Sequence, residues 1–194
     1  MTLVSYGGKS FRFDPGALCM ELVTTGGPGE FARYEVLHEP ADLVRWVERS
    51  RLPGGLEVTV TEGELAQTRA LRDAVFLLAA DRAHGRPLQA HHLDVVNAAA
   101  AGAPLAARVE ADGSRGWAPG ATGSRLLATV ARDAVELFTG PHADRIRECG
   151  SHNCALLFVD TSRPGRRRWC AMEHCGNRQK ARTHRARRAE EGDG

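Results

Sequence analysis

The sequence predicts an α+β protein: a mainly helical N-terminal domain with a few short strands, followed by a small cysteine-rich C-terminal module that ends in a basic helix. Apolar residues recur at helical spacing in several segments between residues 40 and 138. Clusters of Pro and Gly separate these segments. Four of the five cysteines then fall between residues 149 and 175. We place the domain boundary between residues 141 and 142, which divides the chain into domains 1–141 and 142–194.

The first elements are predicted from the alternation of apolar and polar residues and from Gly and Pro, which end helices and strands. Residues 10–13 alternate like a short strand, and an apolar segment at 17–23 ends at the Gly- and Pro-rich stretch 26–29. Pro40 suits the first turn of a helix that stops near Pro53. Residues 56–60 alternate again and predict a strand.

The second half of the domain is predicted to hold its longest helices. Thr61 and Glu64 form a capping-box pattern, so a long helix is expected from there to about residue 84, closed by Gly85. Further helices are expected at 87–101 and 124–138, because the apolar positions keep the helical period. Between them, residues 105–110 alternate, and the Asp-Gly pair that follows predicts a turn.

Composition excludes some classes of protein. Apolar residues make up 42% of the chain and charged residues 26%, which is typical of a globular protein with a substantial core. No stretch approaches the roughly 20 apolar residues that a membrane span needs. The first 13 residues lack the basic start and apolar run of a signal peptide. We therefore expect a cytoplasmic protein without membrane contact.

Charge is distributed unevenly along the chain. Residues 161–188 hold ten Lys or Arg against a single acidic residue, whereas residues 1–160 hold sixteen basic and twenty acidic residues. An acidic body with a basic end indicates an anionic partner.

The cysteine spacing predicts a metal site. Cys149 and Cys154 are separated by four residues, as are Cys170 and Cys175, and fifteen residues lie between the pairs. Zn²⁺ prefers four thiolate or imidazole ligands in a tetrahedron, and two turns that face each other provide them. The spacing therefore predicts one structural Zn²⁺. Two disulfides, which a reducing compartment disfavours, and redox-sensing cysteines are the alternatives.

The basic end is a candidate nucleic-acid surface. The predicted contacts flank the cysteines and are Arg166, Arg167, Arg168, Arg178, Lys180, Arg182, Arg185, Arg187 and Arg188. Residues 178–188 are expected on a helix with no apolar stripe to bury, so a polyanion along it would be a stabilising partner. Two alternatives stay open: some arginines offset the charge of the thiolates, and the segment is a solvated tail.

The same region resembles a known family, the CGNR zinc finger. The resemblance rests on Cys149 and Cys154, on Phe-Val-Asp-Thr-Ser at 158–162, on Arg-Arg-Arg-Trp-Cys-Ala-Met at 166–172, and on Cys-Gly-Asn-Arg at 175–178. Upstream, residues 11–16 and 21–25 look like the ABATE domain that commonly precedes this finger. The resemblance implies a bacterial, stress-linked transcription regulator whose zinc finger binds DNA.

The N-terminal domain carries no recognisable catalytic motif, so no enzyme activity is expected. Arg33, Tyr34 and His38 cluster before the Pro40 helix and are candidates for a ligand pocket, although an ordinary polar surface is the simpler explanation. The leading interpretation is a transcription regulator in which this domain senses a ligand and the zinc module binds DNA. The alternative is an adaptor whose zinc module docks a protein partner. Either way, a fragment ending near Pro141 is expected to fold alone, since its helices supply complementary apolar faces.

Overall fold

The computed structural model describes residues 1–5 and 7–192, with residues 186, 187 and 189–192 described through the backbone only. Its helices and strands follow one another in this order: β1 (Thr2–Val4), β2 (Ser10–Arg12), α1 (Leu18–Val23), a 3₁₀ turn (Gly29–Tyr34), α2 (Pro40–Arg49), β3 (Val58–Thr59), α3 (Glu62–Ala83), α4 (Ala90–Ala100), β4 (Ala107–Val109), β5 (Arg115–Trp117), β6 (Ala121–Thr122), α5 (Gly123–Thr139), a 3₁₀ turn (Ala143–Arg145), β7 (Ile146–Glu148), β8 (Leu157–Val159), a π-helical turn (Met172–Gly176) and α6 (Asn177–Gly192). The predicted α+β class is confirmed.

Helix α3 is the central element of the core. The predicted capping box is present: the Thr61 hydroxyl accepts a hydrogen bond from the Glu64 amide at 3.2 Å, and the Glu64 carboxylate accepts one from the Thr61 amide at 2.9 Å. Leu71, Val75 and Leu78 recur along one face and are almost fully buried. Helices α1, α4 and α5 pack around α3.

Buried charge in this domain is paired. The Arg72 side chain, on α3, is only 2% exposed and donates to Glu35 at 2.7 Å and to Asp73 at 2.9 Å. Glu35 also accepts the backbone amide of Leu37 at 2.9 Å. Burial alone would raise the pKa of Glu35, but the hydrogen bonds from Arg72 and from the Leu37 amide outweigh it and lower that pKa.

The remaining strands of the N-terminal domain have only two or three residues each. Strand β4 lies within the predicted strand at 105–110 and pairs with β5, which was not predicted, and Gly113 lies in the predicted turn between them with φ +82°. Strands β3 and β6 pair in parallel, although each has only two residues. Helix α4 begins at Ala90, three residues after the predicted start; residues 87–89 are not helical, and the Gln89 side chain donates to the Pro87 carbonyl at 3.1 Å.

The C-terminal hairpin shares the main core. Strands β7 and β8 pair antiparallel and lie against α1 and α3. Ile146, Leu157 and Val159 are at most 2% exposed and belong to the same apolar cluster as the helices. The boundary at residue 141 stays a prediction, but apolar packing runs across it, so a chain that ends there should be less stable than the whole protein.

Strands β1 and β2 and the residues that follow them, to Gly16, lie against the C-terminal module. Strands β1 and β2 form a hairpin, and the Val159 amide donates to the Pro15 carbonyl at 2.9 Å. Gly16 has φ +92°, and a Cβ there would lie 2.8 Å from Cβ of Val159, so only glycine allows the chain to pass this close to β8. The two ends of the chain therefore form one packed unit.

Candidate metal centre

The first cysteine pair sits on the turn of the β7–β8 hairpin. Cys149 directly follows β7, and its amide donates to the Leu156 carbonyl at 3.0 Å, which extends the ladder by one bond. The Cys154 amide donates to the Ser151 carbonyl at 3.1 Å and tightens the turn. Both sulfurs thus lie at the turn of a hairpin whose strands are packed in the core.

The second pair lies where a loop enters the basic helix. Cys170 is buried at the end of this loop, and Cys175 is buried within the π-helical turn that precedes α6. The two halves of the site are joined directly, since the Cys170 amide donates to Sγ of Cys149 at 3.3 Å and the Gly150 amide donates to the Arg168 carbonyl at 2.9 Å.

The four predicted ligands converge on one point. The Sγ atoms of Cys149, Cys154, Cys170 and Cys175 all lie within 4.8 Å of one another, and none is in a disulfide. Tetrahedral Zn–S bonds of about 2.3 Å place sulfurs about 3.8 Å apart. The Cys154 and Cys170 sulfurs are 3.8 Å apart. The arrangement fits one structural Zn²⁺, and the disulfide alternative is not seen.

The closely packed sulfurs compete for negative charge. Hydrogen bonds from Cys154 and Cys170 lower the pKa of Cys149 to about 2. The same contacts to Cys149 raise the pKa of Cys154 to about 12 and raise the pKa of Cys170 as well. One thiolate is therefore stabilised at the expense of its neighbours, and a Zn²⁺ ion, which binds cysteine as thiolate, would offset this competition.

The N-terminal hairpin forms one wall of the site, which the sequence did not predict. Phe11 and Phe13 are at most 5% exposed and cluster with Phe158 and the buried cysteines. The ring of Phe11 stacks on His174 with centroids 4.3 Å apart and planes 7° apart. Alternating apolar residues at 11 and 13 indicated a strand, but nothing local indicated its partner.

Arg167 is a structural residue of this wall. Its guanidinium lies 4.1 Å from the Phe158 ring centroid and donates to the carbonyls of Asp14 at 2.8 Å and Cys170 at 2.5 Å. Its amide donates to the buried carboxylate of Asp160 at 2.7 Å. These bonds hold the side chain in the wall, and the predicted contact of Arg167 with nucleic acid stays a prediction.

The other predicted contacts lie on the surface. Arg166, Arg168, Arg178, Lys180, Arg182, Arg185 and Arg188 are exposed. The side chain of Arg187 lies outside the described residues. Arg178 lies within 3.4 Å of Ser151 Oγ, in the turn between the first two cysteines, so it bridges the basic helix to the metal site. Lys180, Arg182, Arg185 and Arg188 project from α6, which extends directly from the turn holding Cys175.

The three residues predicted as a ligand pocket lie on an exposed turn. Arg33 is 3.8 Å from Glu30 and lies over the Tyr34 ring, at 4.9 Å from its centroid. Tyr34 is 45% exposed, and His38 is also exposed. The structure therefore brings Arg33 and Tyr34 together, but it does not enclose them, and a ligand pocket at this place stays a prediction.

A four-cysteine site built from a hairpin turn and a helix-entry turn defines a zinc-finger protein. The comparison with known families agrees: the CGNR zinc finger matches residues 145–188, which contain all four ligands. The ABATE family, described as a putative stress-induced transcription regulator, matches residues 16–141. The chain belongs to the ABATE family and carries a CGNR zinc finger. No curated protein matches the chain. Among the helices of the described residues, none has the length and apolarity to cross a bilayer.

Proposed function

We propose that this protein is a cytoplasmic bacterial transcription regulator that binds duplex DNA through helix α6. The observation that carries this proposal is the exposure of α6, whose main contacts are with the π-helical turn before it. Residues 177–188 of this helix hold six basic and no acidic residues. Without an apolar face to bury, the helix gains little from packing, and a polyanion is the partner that suits it.

The spacing of the cations suits a phosphate backbone. Arg178, Arg182 and Arg185 recur at i, i+4 and i+7, which places them on one face over about 10 Å at 1.5 Å rise per residue. The zinc ion has a structural role here, because it fixes the turn from which the helix starts. Four sulfurs fill its coordination positions and leave none for water or substrate, so we propose binding and not catalysis.

The shared core supports a sensing role for the N-terminal domain. Ile146, Leu157 and Val159 of the zinc module are buried against α1 and α3. A change in the packing of those helices is thereby transmitted to the hairpin that carries Cys149 and Cys154. We propose that a ligand of the N-terminal domain acts on DNA binding by this route.

Salt-dependent binding to DNA tests the proposal. Fluorescence anisotropy of a labelled duplex of mixed sequence is measured with reduced, zinc-loaded protein at several salt concentrations. Four or five phosphate contacts give a slope of log K against log salt of about −4. Arg182→Ala and Arg185→Ala each reduce that slope by about 1 and weaken all duplexes alike.

The matched control is Arg49→Ala, which removes an exposed arginine of α2 and should leave the slope unchanged. If the zinc-loaded wild-type protein shows no salt-sensitive binding at low ionic strength, the DNA proposal fails and the adaptor interpretation takes its place. Equal effects of Arg49→Ala and Arg182→Ala would show that binding follows net charge and not the helix.

A further inference from the structure

A cleft of about 830 Å³ lies between the start of the chain and the loop that leads to the second cysteine pair. Its walls come from Met1 and residues 12–14 on one side and from residues between 162 and 173 on the other. Pockets for small organic ligands have volumes of about 300–1,000 Å³. No residue of α6 lines this cleft, so it is separate from the proposed DNA-binding helix.

The cleft has an excess of positive charge. Arg12, Arg166 and Arg168 line it and are exposed, and none has a carboxylate within 4.0 Å among the described residues. The two acidic residues of the lining are already engaged: Asp14 accepts Arg51 at 3.0 Å, and Glu173 accepts the Arg12 amide at 2.6 Å. Within the described residues, none of these three guanidinium groups is therefore engaged in an ion pair.

The rest of the lining is largely apolar. Met172 is 52% exposed, and Trp169 is half-buried. The Arg168 guanidinium lies 5.2 Å from the centroid of the Trp169 ring. Phe13 also lines the cleft. An apolar wall edged by three arginines is complementary to a molecule that has an apolar body and a negative charge.

We propose that this cleft binds a small organic anion with an aromatic or aliphatic body. The site does not require the DNA-binding role of α6. It is composite, since the zinc module supplies Arg166, Arg168 and Trp169 and the N-terminal segment supplies Arg12 and Phe13. A bound anion bridges the two sides, so it also stabilises the N-terminal hairpin against the metal centre.

The test uses 1-anilinonaphthalene-8-sulfonate as the anionic probe and N-phenyl-1-naphthylamine as its neutral counterpart. Fluorescence titrations are made on the full-length, reduced protein, and zinc content is measured on each sample to confirm that the module is folded. The double variant Arg166→Ala/Arg168→Ala should weaken binding of the sulfonate about tenfold or more, since it removes two charged hydrogen-bond donors. The neutral probe should lose less than threefold.

The charge-matched control is Arg182→Ala/Arg185→Ala on α6, for which sulfonate binding should equal that of the wild type. The proposal is overturned if zinc-loaded Arg166→Ala/Arg168→Ala binds the sulfonate as the wild type does. It is also overturned if the α6 control weakens binding equally, which would show attraction to any cationic surface. Because DNA is absent from this assay, its result is separate from the fate of the DNA proposal.

Discussion

Replacing Phe13 by Ala should weaken zinc binding even though Phe13 is not a ligand. Its side chain is 2% exposed and belongs to the apolar cluster that contains Cys149, Cys170 and Cys175. Truncating a buried Phe to Ala costs about 3–5 kcal/mol, through lost transfer free energy and a cavity. The Arg167 guanidinium, 5.7 Å from the centroid of this ring, would lose part of its packing as well.

The size of the effect follows from the coupling of metal binding to folding. In a small zinc module, the free energy of metal binding includes that of ordering the residues around the metal. If the packing of Phe13 is formed only around the loaded site, its loss appears in the dissociation constant of zinc. At about 1.4 kcal/mol per factor of ten, 3–5 kcal/mol corresponds to a dissociation constant about two to three and a half orders of magnitude higher.

Competition with a chromophoric chelator measures this constant on the full-length, reduced protein. The matched control is Leu43→Ala on α2, which truncates a side chain that is 0% exposed in the main core, outside the cysteine cluster. It should lower the urea midpoint by a comparable amount and leave zinc affinity within about threefold of the wild type.

Two results would refute the reasoning. A Phe13→Ala protein with lowered stability but wild-type zinc affinity would mean that the hairpin wall is formed equally with and without metal. A Leu43→Ala protein that loses zinc as readily as Phe13→Ala would mean that zinc affinity follows global stability and not the local wall.

Three further predictions follow from the fold. A chain that ends at residue 141 lacks Ile146, Leu157 and Val159, whose burial contributes about 1.5–3 kcal/mol each. Its free energy of unfolding in urea should therefore be about 5–9 kcal/mol lower than that of the whole protein. An unchanged urea midpoint would contradict the shared core. Cys170→Ser should reduce the zinc content from about one per chain to near zero by elemental analysis, and retention of metal by the variant would remove Cys170 from the ligand set. Glu35→Gln should cost about 2–3 kcal/mol in urea unfolding at pH 7, because the buried Arg72 loses one of its two charged partners and keeps only Asp73. The pKa of Glu35 is lowered by folding, so this difference from the wild type should persist above about pH 4.5 and shrink as the pH falls below it, and a pH-independent difference would be inconsistent with the ion pair.

Local sequence patterns were sufficient for most of the helices. The capping box at Thr61 and Glu64, the proline at the start of α2 and the glycine after α3 each act within one turn of helix, so their effect does not depend on distant residues. The ends of α5 and the turn after β4 were predicted for the same reason. Strands β3 and β6 were not predicted as a pair, since a two-residue parallel pairing across sixty residues leaves no local periodicity.

The metal ligands were also determined by the sequence alone. Two close pairs of cysteines leave few other geometries, and the four sulfurs converge as the spacing predicted. The surroundings of the site depended on tertiary structure instead. The charge pattern could not distinguish Arg167 from its exposed neighbours Arg166 and Arg168. The Arg167 side chain donates hydrogen bonds to the carbonyls of Asp14 and Cys170, which are far apart in the sequence. Phe11 and Phe13 reach the cysteines across more than 130 residues of sequence, and only the folded core brings those segments together. Which residues bind the metal thus follows from residue type and spacing. The wall formed by Phe11 and Phe13, the cleft and the exposure of each arginine result from long-range packing.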